Sequence, residues 1–251
     1  MNILCDLGNS RLKWASLQPD GTPGAVRALA HDGVAFADDP GALLPSGEVA
    51  WLASVAAPAL QVQLLEVLGQ RFRRIGIART QAQFGGVRIA YAHPERLGVD
   101  RFLALVAARA RGADAWLLVG VGTALTVDLL DLHGRHRGGM VAPAPALMRE
   151  SLQARAPQLP AGGGLVLDFA DDTYDALASG CAGAALGLIE RSRARAAALL
   201  QTPPRLLLHG GGAAPLLDAL PEAVSAPALV LEGLARWAAA ERDSGAASPP
   251  D

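Results

Sequence analysis

The chain has 251 residues, a formal net charge of −2 and 51% apolar residues. This length suits one large domain or two small ones, and the apolar content excludes a disordered protein. The near-neutral charge, without a basic stripe, predicts no nucleic-acid partner. Cys5 and Cys181 lie outside any metal-binding spacing, so no zinc site is predicted.

The N-terminus and the apolar stretches predict where the protein resides. The first residues, MNILCDLG, lack the basic region, apolar core and cleavage site of a signal peptide. The longest apolar stretch, residues 115–127, is interrupted by Gly and Thr and is too short to span a bilayer. We therefore expect a soluble cytoplasmic protein that has no membrane partner.

The N-terminal part of the chain predicts strands followed by helices. Apolar runs and alternating patterns predict the strands Asn2–Leu7, Arg11–Leu17 and Val49–Val55. Apolar residues at helical spacing predict the helices Pro58–Phe72 and Val99–Arg111.

The C-terminal part repeats this order. The predicted strands are Trp116–Val121, Leu125–Leu132, Arg137–Val141 and Arg205–His209. The predicted helices are Pro145–Arg155, Thr173–Leu200, Ala213–Leu220 and Ala228–Arg242.

Both parts open with a strand, a Gly-containing turn that carries Ser or Thr, and an antiparallel second strand. Duplicated units of this kind form the nucleotide cleft between the two domains of actin-like and sugar-kinase-like ATPases. We therefore predict an α/β fold of two tandem ribonuclease H-like domains of the actin-like ATPase type, with a nucleotide cleft between them. The predicted domains are residues 1–112 and 113–242, and residues 243–251 are predicted to be a disordered tail.

The first turn has the chemistry of a phosphate site. The backbone amides of residues 8–10 can form a concavity for phosphate oxygens, and Gly8 permits close approach. Asp6 ends a buried strand and offers oxygen ligands to Mg²⁺. Lys13 and Arg11 share one face of the second strand and either can meet a phosphate. The alternative is an ordinary hairpin with a solvated lysine.

Two further turns are compatible with a nucleotide. Gly122-Thr123 offers a second set of amides, and Gly210-Gly211-Gly212 lies between a strand and a helix, where it permits close approach of adenosine. The glycine run is equally compatible with a plain strand–helix connection.

Asp100 and Arg101 begin a predicted helix. A carboxylate there is stabilised in its ionised form by the helix dipole, and a planar guanidinium suits a carboxylate or a phosphate. The alternative role for Asp100 is that of a helix cap.

Five motifs in order carry a family resemblance: DLGNSRLK, YxxPxxLGxDR, GTAxTxD, DTxxAxxSG and GGG. From residue 2 to about residue 237 the chain resembles the type III pantothenate kinases, which belong to the acetate and sugar kinase/Hsc70/actin superfamily. The resemblance implies ATP-dependent phosphorylation of pantothenate to 4′-phosphopantothenate, the first step of coenzyme A biosynthesis. It also implies a homodimer whose acceptor pocket is closed at the dimer interface.

The resemblance also implies residue roles. The residues implied to bind ATP are Asp6, Leu7, Gly8, Asn9, Ser10, Arg11, Leu12, Lys13 and Thr123. The residues implied to bind pantothenate are Tyr91, Gly98, Val99, Asp100, Arg101 and Thr173. Asp6 is implied to hold Mg²⁺, Asp100 to accept the hydroxyl proton, and Thr173 to reach pantothenate from the partner subunit.

Three positions depart from the family pattern, the mildest being Ala144, where the family usually has Gly after Pro143. The family usually has Asp at the position of Gly120, and that carboxylate is associated with a K⁺ or NH₄⁺ ion, so Gly120 weakens the prediction of a monovalent cation. The usual Thr before the third turn is His209. An alternative function is that of a catalytically weak relative acting as a transcriptional accessory factor through protein contacts. A sugar kinase of the repressor–kinase type is disfavoured, because two isolated cysteines cannot form its zinc motif.

Overall fold

The structure is a computed structural model that describes residues 1–246. The chain forms two compact units. Unit 1 consists of Met1–Gly112 and the chain from Ala228 onwards, and unit 2 is Ala113–Pro227. The predicted second domain, residues 113–242, therefore ends earlier than expected, because the last helix belongs to unit 1.

Unit 1 contains a five-stranded sheet in the order β3-β2-β1-β4-β5. Its strands are β1 (Asn2–Leu7), β2 (Arg11–Ser16), β3 (Arg27–Ala30), β4 (Gly47–Ser54) and β5 (Phe72–Ile77). β1 pairs antiparallel with β2 and parallel with β4. The sequence predicted β1, β2 and β4 but missed β3 and β5. β3 is only four residues long, and exposed arginines interrupt the apolar pattern of β5.

The remaining elements of unit 1 are helices and one small hairpin. They are α1 (Pro40–Leu43), α2 (Pro58–Arg71), β6 (Gln83–Phe84), β7 (Val87–Arg88), a 3₁₀ turn (Pro94–Arg96), α3 (Val99–Ala110) and α7 (Leu229–Ala246). Because α7 continues to Ala246, the predicted tail is wrong for residues 243–246, and residues 247–251 lie outside the described part of the chain.

The two faces of the unit 1 sheet are covered by different helices. Ile3, Cys5 and Leu7 belong to the core cluster that includes the buried leucines of α2. Alternation along a strand turns Asp6 to the opposite face. On that face Trp51 of β4 packs edge-to-face on Trp237 of α7, and α7 packs closely on α3. Asp6 therefore faces the side on which α3 lies.

Unit 2 repeats the sheet topology of unit 1, in the order β10-β9-β8-β11-β12. Its strands are β8 (Trp116–Val121), β9 (Ala124–Leu130), β10 (His136–Pro143), β11 (Arg205–His209) and β12 (Val224–Ser225). Its helices are α4 (Pro145–Arg155), α5 (Thr173–Leu200) and α6 (Ala214–Leu217). β8 pairs antiparallel with β9 and parallel with β11, as β1 does with β2 and β4, which confirms the predicted repeat.

Within residues 1–246, every helix is too short or too polar to span a lipid bilayer.

Candidate active site

The first turn joins β1 to β2 in the predicted hairpin. The register places Asp6 opposite Lys13, and the Gly8 amide donates to the Arg11 carbonyl at 3.0 Å. A Cβ on Gly8 would make only an ordinary contact of 3.5 Å with that carbonyl. Neither packing nor backbone conformation therefore demands glycine here, whereas close approach of a ligand to the turn would.

The predicted ATP-binding residues of this hairpin divide by exposure. Asn9, Ser10 and Arg11 are exposed on the turn. The side chains of Leu7 and Leu12 are fully buried in the core. These two leucines can therefore reach a ligand only through their backbone.

Asp6 is a buried carboxylate that is 7% exposed. The pKa of Asp6 is raised to about 7, mainly because the carboxylate is buried; Lys13 lowers this pKa and the carboxylate of Asp100 raises it, and about 7 is the net result. The electrostatic coupling places all three groups near one another in unit 1. Lys13 does not fully offset the cost of burying the carboxylate, so the site favours additional positive charge.

Asp100 lies in the first turn of α3 and explains the glycine before it. Its Oδ1 accepts a hydrogen bond from the Arg101 amide at 2.8 Å. A Cβ on Gly98 would lie 2.6 Å from the same oxygen. Gly98 therefore leaves the space that the carboxylate occupies over the helix start.

The other predicted acceptor residues lie beside Asp100. The Arg101 guanidinium donates to the Tyr91 hydroxyl at 3.4 Å, so these two residues are in contact. Val99 is 8% exposed, and its side chain is part of the core. The segment is anchored by Thr80, whose hydroxyl donates to the Leu97 carbonyl at 2.8 Å.

His31 lies outside every predicted motif and forms hydrogen bonds with the first turn. Its Nε2 lies 3.0 Å from the Gly8 carbonyl, and its Nδ1 accepts from the Gly33 amide at 3.1 Å. Because Nδ1 accepts, Nε2 carries the proton and donates to Gly8. The His31 amide donates to the Ser10 carbonyl at 3.0 Å. No sequence signal marked this buried histidine, because it is distant in the chain from the turn.

The two predicted turns of unit 2 meet at the end of β8. Thr123 is exposed on the β8–β9 turn, and its carbonyl accepts from the Ala144 amide at 3.3 Å. Gly210 has a φ of +95°, and a Cβ on it would overlap the Val121 carbonyl. The Gly212 amide donates to the same carbonyl at 2.9 Å. Glycine at position 210 is thus required by both conformation and packing.

Thr173 begins α5, where Asp172 caps the helix by accepting from the Asp175 amide at 3.0 Å. Thr173 is exposed and lines a depression of about 400 Å³ in unit 2 together with Leu159 and Leu177.

Comparison with known proteins shows the family. The sequence profile described as type III pantothenate kinase matches residues 2–195. A type III pantothenate kinase from Stenotrophomonas maltophilia (strain R551-3) is 57% identical over 235 residues, which cover 94% of this chain and 96% of that protein. The chain belongs to the type III pantothenate kinase family.

Solved structures show the fold of this family member. A chain from Campylobacter jejuni assigned to the Baf family of transcriptional activators has a TM-score of 0.65 at 19% identity, covering 96% of this chain and 99% of that chain. A 2-dehydro-3-deoxygalactonokinase-type protein from Sinorhizobium meliloti has a TM-score of 0.53 at 18% identity, with 97% and 99% covered. The two repeated units are those of the actin-like ATPase and sugar kinase fold, as predicted.

Proposed function

We propose that this protein is an ATP-dependent pantothenate kinase that phosphorylates the primary hydroxyl of pantothenate to give 4′-phosphopantothenate, the first step of coenzyme A biosynthesis. The observation that carries the proposal is the grouping of Asp6, Lys13 and Asp100 in unit 1, in a chain that belongs to this family. We also propose a cytoplasmic location, since the reaction consumes ATP.

The first turn binds the phosphates of ATP in this proposal. The amides of Asn9 and Ser10 and the Lys13 ammonium face the phosphate oxygens, because the Gly8 amide is already bonded to the Arg11 carbonyl. Thr123 is a further proposed contact for ATP. A buried carboxylate short of positive charge, as in Asp6, suits Mg²⁺, which is commonly held by one or two carboxylates and the substrate phosphates. Among the side chains that the structure describes, those of residues 1–243, no group of three His, Cys, Asp or Glu residues could hold a metal ion. Mg²⁺ would neutralise charge on the transferring phosphoryl group.

Asp100 orients the acceptor hydroxyl and takes its proton. The hydroxyl oxygen forms the new bond to the γ-phosphorus as the bond to the bridging oxygen of ADP breaks, and the proton passes to the Asp100 carboxylate. Phosphoryl transfer has a loose transition state, so positioning matters more than basicity, and an ordinary carboxylate suffices. The contacting pair of Tyr91 and Arg101 provides hydrogen-bonding groups for pantothenate next to this carboxylate.

The proposal includes a homodimer that completes the acceptor pocket with Thr173. An exposed apolar segment, residues 165–169, lies along α5 beside this residue and includes Phe169, which is 97% exposed. The segment is held in place because the Leu165 amide donates to the Asp175 carboxylate at 2.7 Å and the Leu167 amide to the Ser179 hydroxyl at 2.9 Å. Apolar surface of this kind marks an interaction site. Sedimentation velocity should therefore show a dimer, and Phe169→Asp should shift it to the monomer.

The decisive experiment is a product assay with a matched pair of variants. Wild type with ATP, Mg²⁺ and pantothenate should form 4′-phosphopantothenate and ADP in equal amounts. Asp100→Asn should lower kcat by about 10² to 10⁴, the contribution of a general base, and keep the wild-type melting temperature. The control is Glu95→Gln, a neighbouring carboxylate that is exposed on the 3₁₀ turn and should leave kcat unchanged.

Two outcomes would contradict the proposal. Product no greater than a no-enzyme control, with and without K⁺, would reject the kinase function. Wild-type turnover in Asp100→Asn would reject Asp100 as the base. A transcriptional accessory role gains no support from the Baf-family likeness, which shows the fold alone.

A further inference from the structure

Three residues at the end of β8 lie side by side across the sheet of unit 2. Gly120 pairs with Thr126 on β9 and with His209 on β11. Residues that are paired directly across neighbouring strands project to the same face of a sheet. Thr126 and His209 therefore flank Gly120 on one face.

The side chains of these neighbours occupy the space above Gly120. A Cβ on Gly120 would lie 2.6 Å from Thr126 Oγ1, 2.9 Å from His209 Nε2 and 3.0 Å from His209 Cε1. Contacts this short force something to move. Thr126 and His209 would have to shift to admit a side chain, so the histidine at position 209 is sterically coupled to the glycine at position 120.

This row of residues lies at the base of both nucleotide-compatible turns of unit 2. Val121, next to Gly120, accepts the hydrogen bond from Gly212, and His209 directly precedes the glycine turn. The row also lies near Thr123, three residues after Gly120. A charge placed at position 120 would therefore act on the turns assigned to ATP.

A carboxylate-bound monovalent cation does not fit these residues. Position 120 has no carboxylate, and an aspartate side chain there would overlap His209 and Thr126 in their present positions. We propose that the His209 imidazole fills the place of the carboxylate and its ion, and that this enzyme turns over without K⁺ or NH₄⁺.

The turnover test rests on the proposed function and compares cations at constant ionic strength. Wild type should show less than a twofold change in kcat/KM when K⁺ or NH₄⁺ replaces tetramethylammonium at fixed Mg²⁺. Saturable activation of about tenfold or more by K⁺ would overturn the proposal. Gly120→Asp/His209→Thr, which restores a carboxylate and makes room for it, should become K⁺-activated. His209→Thr alone, which lacks the carboxylate, should not.

A second readout does not depend on turnover. The melting temperature with ADP and Mg²⁺ should be the same in about 100 mM KCl and about 100 mM tetramethylammonium chloride for wild type, and higher in KCl for the double variant, because bound ligand stabilises the folded state. A K⁺-specific rise in wild type, or no K⁺ response of either kind in a folded double variant, would overturn the proposal. Absence of turnover in every salt would reject the kinase function alone, since the melting comparison still reports the ion.

Discussion

Replacing His31 with Leu is expected to weaken ATP binding while leaving pantothenate binding unchanged. The imidazole is 8% exposed and connects the Gly8 carbonyl to the Gly33 amide. Neither of its two hydrogen-bond partners is one of the acceptor residues of α3. Leu has a similar volume, so the substitution removes the two hydrogen bonds without opening a large cavity.

The magnitude follows from the two hydrogen bonds. Each contributes about 0.5–1.5 kcal/mol net, so His31→Leu should lower the free energy of unfolding by about 2 kcal/mol. A carbonyl released at Gly8 allows the turn to rotate its amides away from the phosphates. Loss of about 1.4 kcal/mol of binding energy there raises the KM for ATP about tenfold.

Two conservative variants separate the hydrogen bonds. His31→Gln places an amide N–H near the position of Nε2 and can keep the bond to Gly8. His31→Asn places its oxygen near the position of Nδ1 and can keep only the bond to Gly33. We therefore expect a near wild-type KM for ATP in the Gln variant and a raised KM for ATP in the Asn and Leu variants.

Steady-state kinetics with each substrate varied in turn, alongside urea unfolding, provide the check. A purely structural role would destabilise the Asn and Gln variants alike and leave the KM for ATP unaltered in folded enzyme. A rise in the KM for pantothenate equal to that for ATP would also refute the reasoning.

Two further predictions concern stability. The pKa of Asp6 is raised to about 7 when the chain is folded. Ionisation of this group therefore destabilises the folded state progressively as the pH rises from about 4 to 7. Asp6→Asn should therefore unfold like wild type at pH 4, gain up to about 4 kcal/mol at pH 8 in urea titrations without Mg²⁺, and lack kinase activity. Gly233→Ala should lose about 1–3 kcal/mol, because its Cβ would overlap the Leu103 carbonyl where α7 crosses α3. Gly69→Ala, in open space on α2, should instead gain about 0.5–1 kcal/mol, and equal thermal shifts in these two variants would contradict the packing argument.

Elements whose pattern is local were predicted with accurate bounds. Trp116–Val121, Pro145–Arg155 and Thr173–Leu200 match the structure residue for residue, because apolar runs and helical spacing are properties of a continuous segment. The edge strand Phe72–Ile77 was missed because its exposed arginines disguise the alternation. The assignment of Leu229–Ala246 to unit 1 depends on packing with α3, which no local pattern encodes.

The candidate site divides in the same way. Asp6 and Lys13 were both named from the hairpin motif, and the structure adds that they pair directly across the two strands. The proximity of Asp6 to Asp100 could not be predicted without knowing which face of the sheet α3 covers. The contact of His31 with the turn could not be predicted without knowing that its loop folds back on that turn. Contacts between segments distant in the chain leave no periodic signal, so the residues that hold a site in place are harder to predict than those that form it.

Gly120 shows why a departure from a family pattern is best judged in three dimensions. In the sequence it is a missing carboxylate, which suggests a weakened site. In the sheet it lies between Thr126 and His209, whose side chains fill the space that a carboxylate would need. His209 is itself a departure from the pattern, and the two departures are on neighbouring strands and sterically dependent on each other. Random loss of a functional residue would leave an empty space, whereas a filled space is what an exchange of one working arrangement for another would produce.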